Sequence, residues 1–284
     1  MALTSDSPSR RINHATTNHT LDNFPSQIKT KSSKPEPTSK QRPRSGVFSK
    51  PLLEETAYIL PLIPPSNDIK EIKKFIRDNL RFSAEYSRAR YTRYITYRIF
   101  PSDYPNSEIR SFAKKFSGRQ ELKDVVFYRF LKSEPLMTQI ITDLILPAIA
   151  TGTIRRSVVK DYLNDKFPGM KSVRDCAMAV ADALKDTGLA TTTQKIISFN
   201  YRRPHLSSFA YILHCEYPKP GIYSLNDLEN NPHVKAMLWY PETILPSLYE
   251  LRNQGIIARV SEIDTVRQFS TKLTLEEYVE QVSG

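Results

Sequence analysis

Two phrases constrain this chain more than any other feature of it: Ala183-Leu-Lys-Asp-Thr-Gly-Leu-Ala190 and Glu250-Leu-Arg-Asn-Gln-Gly-Ile-Ile257. In each, a helical run ends at glycine and an apolar stretch of strand type begins directly behind it. Glycine is the residue that closes a helix at its C′ position, because it adopts positive φ without a Cβ clash. Upstream of the first phrase the periodicity predicts three helices, Pro135–Ala150, Thr153–Phe167 and Ser172–Thr187. In the third, Val173, Ala177, Val180, Ala181 and Leu184 form the apolar stripe, and Ser172 with Asp175 reads as a near capping box. Downstream, Leu189 to Arg203 is β-branched and aromatic, and reads as a strand or hairpin. Around the second phrase the order recurs. Leu206–Tyr217, a helix starting at Ser224-Leu225 and Leu245–Gln254 precede two strands, Ile256–Val260 and Thr265–Ser270, and a closing helix begins at Thr274 with Glu277 completing its capping box.

Three helices followed by a hairpin is the winged-helix order. The predicted fold is therefore mainly α: a helical N-terminal domain followed by tandem winged-helix or helix-turn-helix-like units with short β-hairpin wings. The predicted boundaries are a disordered basic tail over 1–50, the helical domain over 51–132, one unit over 133–205 and a second over 206–284. In the helical domain, Leu52, Leu53, Thr56, Ile59 and Leu60 share one helical face. Ser66, Asn67 and Asp68 are N-cap candidates for a second helix that turns Ile69, Ile72, Ile76 and Leu80 inward and its lysines mostly outward.

The next segment, Arg88-Ala-Arg-Tyr-Thr-Arg-Tyr-Ile-Thr-Tyr-Arg-Ile-Phe100, has no acidic residue. As a helix it places Tyr91, Tyr94, Ile95 and Arg98 on one side and Arg90, Arg93 and Tyr97 on another; as a strand its residues alternate. Continuity with the preceding pattern favours the helix. Either way arginine lies on more than one face, so some of these side chains are buried or paired, with Glu54, Glu55 or Glu85 as partners, and the rest are free for phosphates.

Charge narrows the function. Lysine and arginine outnumber acids 41 to 30, for a net charge of +11, which favours a polyanionic partner. The two cysteines, Cys176 and Cys215, and the five histidines show no metal-ligand spacing, and with eight glycines the chain carries no phosphate-cradling loop and no hydrolase motif. His214-Cys215-Glu216 is not a catalytic pair, because successive helical residues point apart. The reading is of a non-enzyme without cofactor or metal. It is also cytoplasmic, since the chain has no export signal and no apolar run long enough to span a bilayer.

In a helix-turn-helix unit the third helix offers its N-terminal residues to the major groove while nearby cations hold phosphates. That assigns Lys171, Ser172 and Arg174 to the third helix, Arg155 and Arg156 to backbone contacts at the start of the preceding helix, and Lys195, Arg202 and Arg203 to the wing. Arg88, Arg90, Arg93 and Arg98 supply further phosphate contacts, and the partner so defined is double-stranded DNA. Asp175, Asp182 and Asp186 on the third helix support a different reading, a protein-binding adaptor without DNA contact. A third, an operator-specific regulator, requires a dimerisation element and strong preference for one site. In the second unit Glu250 and Glu262 offset Arg252, Arg259 and Arg267, which favours packing or partner contact there.

Two segments together resemble a known family. Ser45-Gly-Val-Phe-Ser-Lys-Pro-Leu-Leu-Glu-Glu-Thr56 and, beyond the next helix, Arg88–Arg98 are similar to the opening of BrxA-type proteins of bacterial BREX phage-defence clusters. There a Gly-Leu-Leu-x-Glu-Ser/Thr segment precedes Asn-x-Leu and an arginine-rich, threonine-containing helix; Thr92, Arg93 and Arg98 resemble the last of these, and Asn79-Leu80 resembles the second without its intervening residue. The likeness covers the first half of the folded chain and, more faintly, the helices between Ile154 and Leu189. It implies a small DNA-binding accessory protein acting with a methyltransferase and other defence components. The chain departs from the scheme in its basic tail, its longer C-terminal unit and the position of its glycine relative to Leu52-Leu53.

Overall fold

The computed structural model describes residues 46–263 and 266–283, which form one compact unit. The first 45 residues of the expected tail lie outside the described residues. Its last five do not behave as a tail: Phe48 is buried against Phe130, ring centroids 5.1 Å apart, so the fold starts before Pro51.

The chain runs through α1 (Leu53–Ile59), α2 (Ile69–Asn79), α3 (Glu85–Ile99), α4 (Ser107–Lys115), α5 (Gln120–Ser133) and α6 (Pro135–Ile140). The amphipathic patterns hold here. Leu52, Leu53, Thr56, Ile59 and Leu60 are all buried, and Asp68 caps α2 by accepting a hydrogen bond from the Lys70 amide at 2.8 Å. The arginine-rich segment is the helix α3. At the centre, α5 buries Leu122, Val125, Val126, Phe127, Phe130 and Leu131, apolar residues spread around most of its circumference.

Two similar units follow. The first comprises β1 (Thr153–Arg155), α7 (Arg156–Lys166), α8 (Val173–Asp186), β2 (Ala190–Thr192) and β3 (Ile196–Phe199); its sheet is antiparallel in the order β1-β3-β2. After α9 (Leu206–Glu216), the second comprises β4 (Gly221–Ser224), α10 (Leu225–Asn230), α11 (Pro232–Ala236), α12 (Ile244–Asn253), β5 (Ile257–Ile263) and β6 (Val266–Thr271), ordered β4-β6-β5. In both, the first strand pairs with the last. Both hairpins are entered through the same helix terminus: Gly188 and Gly255 sit at φ +73° and +74°, and Leu189 N–H and Ile256 N–H donate to the carbonyls of Leu184 and Leu251, each at 2.9 Å. The closing α13 (Leu275–Ser283) begins with the expected capping box, Thr274 N–H donating to Glu277 at 2.8 Å and Glu277 N–H to the Thr274 hydroxyl at 3.3 Å.

Helix α9 packs on α5 and α13 on α4, so the boundaries expected at 132/133 and 205/206 fall inside one continuous core. Three local expectations are corrected. The predicted helix Pro135–Ala150 is α-helical only to Ile140, then widens to a π turn over Ile141–Ile145, with Leu146 N–H donating to the Ile141 carbonyl at 2.9 Å. Pro147 explains the change: it has no N–H, and its ring cannot follow a regular turn beneath it. Thr153–Arg155 is strand, not helix, because β-branched Thr153 and Ile154 pair with Ser198 and Ile197. Ser172 does not cap α8; its own backbone is already helical (φ −75°, ψ −4°), which turns its hydroxyl away from the amides it would serve.

Candidate nucleic-acid interface

The β1–β3 pairing sets Arg155 opposite Ile196, and Arg156 N–H donates to the Lys195 carbonyl at 2.9 Å. The β2–β3 turn holds itself, with the Thr193 hydroxyl accepting from the amides of Lys195 (3.3 Å) and Ile196 (3.1 Å). The result is a hollow of ≈ 510 Å³ lined by Arg155, Arg156, Ser157, Gln194, Lys195 and Ile196. No side chain caps α7, so apart from the Arg156 N–H, which the Lys195 carbonyl takes up, its first-turn N–H groups have no side-chain cap. None of the three has an ion-pair partner among the described residues. Sequence reasoning found the cations and missed Ser157 and Gln194, which the β1–β3 register alone brings together.

The other candidates divide. Lys171 and Arg174 are exposed at the start of α8, Ser172 is half-buried there, and Arg203 is exposed beyond β3. Arg202, expected on the wing, turns inward and pairs with buried Asp124 at 2.7 Å. Of the four candidate arginines in α3, only Arg93 is exposed. Arg98 is 7 % exposed; it donates to the carbonyls of Lys50 (2.6 Å) and Pro51 (2.7 Å) and pairs with Glu134 at 3.0 Å, so it holds the chain entry and offers nothing to a phosphate. Its acid is Glu134, not one of the expected Glu54, Glu55 and Glu85, of which Glu85 pairs with Arg88. Arg88 is taken up by Glu85 (2.8 Å) and the Phe82 carbonyl (3.0 Å), and Arg90 by the Tyr94 hydroxyl (3.0 Å).

The outer face of α8 carries Arg174, Asp175, Met178, Asp182 and Lys185, an even mix of charge. Toward its C-terminal end, burial first, and then the neighbouring Asp182, Glu54 and Glu55, push the Asp186 carboxyl up to about 6. On this side of the first unit the cations without an ion-pair partner among the described residues therefore lie at the start of α8 and around the hollow between α7 and the β2–β3 turn. Because the folded value exceeds the ordinary 3.8, Asp186 favours folding fully below that value and loses this contribution as pH rises through 6. Asp186→Asn is expected to raise stability at pH 7 by about 1 kcal/mol after solvent screening, or about 3 °C in Tm, read by thermal melts. Below about pH 4, where the carboxyl is protonated in both states, the gain is expected to vanish; a gain that persists there would reject the assignment.

The remaining reactive groups are bound up in the fold. Burial pushes Cys176 to about 11 and Cys215 to about 12. Burial also raises the Glu216 carboxyl, but hydrogen bonds from His233, Tyr128 and Asn231, with Lys132 nearby, outweigh it and hold that group down at about 2. Among the described residues, no three His, Cys, Asp or Glu side chains are grouped to hold a metal, and no helix is long and apolar enough to cross a membrane. No protein-family model, curated protein or solved structure significantly matches this chain.

Proposed function

We propose that this protein is a non-catalytic double-stranded DNA-binding accessory protein of a BREX-like phage-defence system, that both strand–helix–hairpin units are winged helices, and that the first unit makes the DNA contact. One observation carries the reading: three cations without an ion-pair partner among the described residues, Arg155, Arg156 and Lys195, line a hollow at the start of α7, and the same unit exposes Lys171 and Arg174 at the start of α8. Phosphates supply the negative charge and the multiple acceptor oxygens this arrangement suits. The net charge of +11 supports a polyanion, and the shared strand order supports winged helices. The defence setting, with a methyltransferase among the partners, rests on the resemblance at Ser45–Thr56 and Arg88–Arg98.

The test is fluorescence anisotropy of labelled duplex against the full chain over a salt series. Replacing Arg155, Arg156 and Lys195 by alanine is expected to reduce the log–log salt slope by about 0.9 per lost phosphate contact and to weaken binding at least about tenfold. An unchanged slope in a folded variant would remove the first unit from the interface. The adaptor reading is favoured by one specific feature, the exposed Ile222, Ile263 and Val266 on the sheet of the second unit. It gains if the unaltered protein shows no salt-dependent DNA affinity and co-purifies with another subunit.

A further inference from the structure

A second cationic groove, of ≈ 600 Å³, lies between α2 and α3. Lys70, Lys73, Lys74 and Arg77 line it from α2 and Arg93 from α3, with Ala89 and Thr92 as small residues that leave the space open. Its origin is the amphipathic pattern of α2: burying Ile72 and Ile76 commits the opposite helical face to lysine and arginine. Acids neutralise part of this charge. Lys73 pairs with Asp103 at 2.6 Å and Arg77 with Glu85. Lys70, Lys74 and Arg93 have no ion-pair partner among the described residues, and Asp78 is the one acid lining the groove. Thr92 is 6 % exposed, and its hydroxyl has no hydrogen-bond partner. That oxygen is sealed from the surface, so the groups the groove offers a ligand are its cations.

We propose that this groove holds a second stretch of nucleic-acid phosphodiester backbone; the inference rests on the DNA-binding reading above and extends it to a site outside the winged-helix units. Lys70 and Lys74 stand one turn apart, about 6 Å along the helix axis at about 1.5 Å per residue. That separation is close to two nucleotides of rise along the duplex axis, at about 3.4 Å each. Lysine meets phosphate as a point charge without demanding a particular base. Tyr86, 75 % exposed and seven residues before Arg93 on the same face of α3, adds a flat ring for a sugar or base. An acidic peptide finds no apolar pocket among these lining residues in which to anchor a side chain.

The experiment compares the full-length protein with a Lys70→Ala, Lys74→Ala, Arg93→Ala variant, titrated into labelled duplex and into the matching single strand over a salt series. The slope is expected to fall by about 0.9 per lost contact if the occupant is duplex, or about 0.7 if it is a single strand. The charge-conserving Lys70→Arg, Lys74→Arg, Arg93→Lys variant is expected to restore both slope and affinity. All three positions are exposed, so the fold is retained. If the unaltered protein binds DNA and the groove variant matches it in slope and affinity, the groove inference fails alone. If the groove variant keeps DNA binding but loses affinity for a labelled polyglutamate peptide that the unaltered protein binds, the occupant is an acidic protein segment and the proposal is overturned. If the unaltered protein binds no DNA, this inference and the reading beneath it fall together.

Discussion

Asp124→Ala is expected to lower stability by about 3–5 kcal/mol, and Tm by on the order of 10 °C. Asp124 lies on α5 with no solvent exposure. One carboxylate oxygen accepts from Gln120 Nε2 (2.8 Å) and lies 2.7 Å from Arg202 Nη1; the other accepts from the Ser208 hydroxyl (2.9 Å). Gln120 Nε2 also donates to the Thr187 carbonyl at the end of α8 (2.8 Å), so a single acid links the helical body, the first unit, the segment after β3 and α9. Removing it strands a mostly buried guanidinium whose Nε and Nη2 already lack partners, and an unpaired buried charge costs far more than the pair contributes. Thermal melts should therefore show partial recovery in Asp124→Ala/Arg202→Leu, where the orphaned charge is gone too. A single variant within a degree or two of the parent would mean that water reaches Arg202 freely. The same geometry separates neighbours in sequence: Arg202→Ala is expected to change Tm, and exposed Arg203→Ala to leave it unchanged.

What could be read from the sequence was local. The stripe from Leu52 to Leu60, the Asp68 cap, the Gly188 and Gly255 termini and the Thr274–Glu277 capping box all depend on residues within a turn or two of one another, and all are present. The Ser172 cap and the helix beyond Ile140 failed for local backbone reasons, and the other failures needed distant partners. Nothing near Arg98 in sequence announces Glu134 or the carbonyls of Lys50 and Pro51, and nothing near Arg202 announces Asp124. A signal for the second pairing did exist: Asp124 is the lone acid in the apolar run Leu122–Leu131, where an unpaired carboxylate would be untenable. Thr153–Arg155 went unread as strand because three residues carry too little periodicity, and their partner strand lies some forty residues on, across two helices. The α2–α3 groove was hidden for another reason. Outward lysines on one helix look like ordinary solvated charge until α3 places Arg93 beside them.

Between pH 6.5 and 4 the protein is expected to lose about 3 kcal/mol of stability through His214 alone. His214 is fully buried on α9 and stacks on Tyr278, with ring centroids 5.3 Å apart. Burial lowers its value from 6.5 to about 4; the Leu273 backbone and the Glu277 carboxylate pull the other way without offsetting the loss of water, and neither ring nitrogen has a hydrogen-bond partner of good geometry. The sign follows from the depressed value. The unfolded chain takes up a proton as pH falls below 6.5 while the folded chain does not until about 4, so the contribution is complete above 6.5 and gone below 4. Asp186 works in the opposite direction over nearly the same range, which makes the profile of the unaltered protein shallower than either group alone would produce. The decisive quantity is therefore the Tm difference between His214→Phe, which keeps a ring against Tyr278, and the parent. It should be constant above pH 6.5 and shift steadily in the variant's favour as pH falls toward 4. A difference that stays constant across that range would show that His214 is solvated in the folded protein and that α9 and α13 part more readily than their packing indicates.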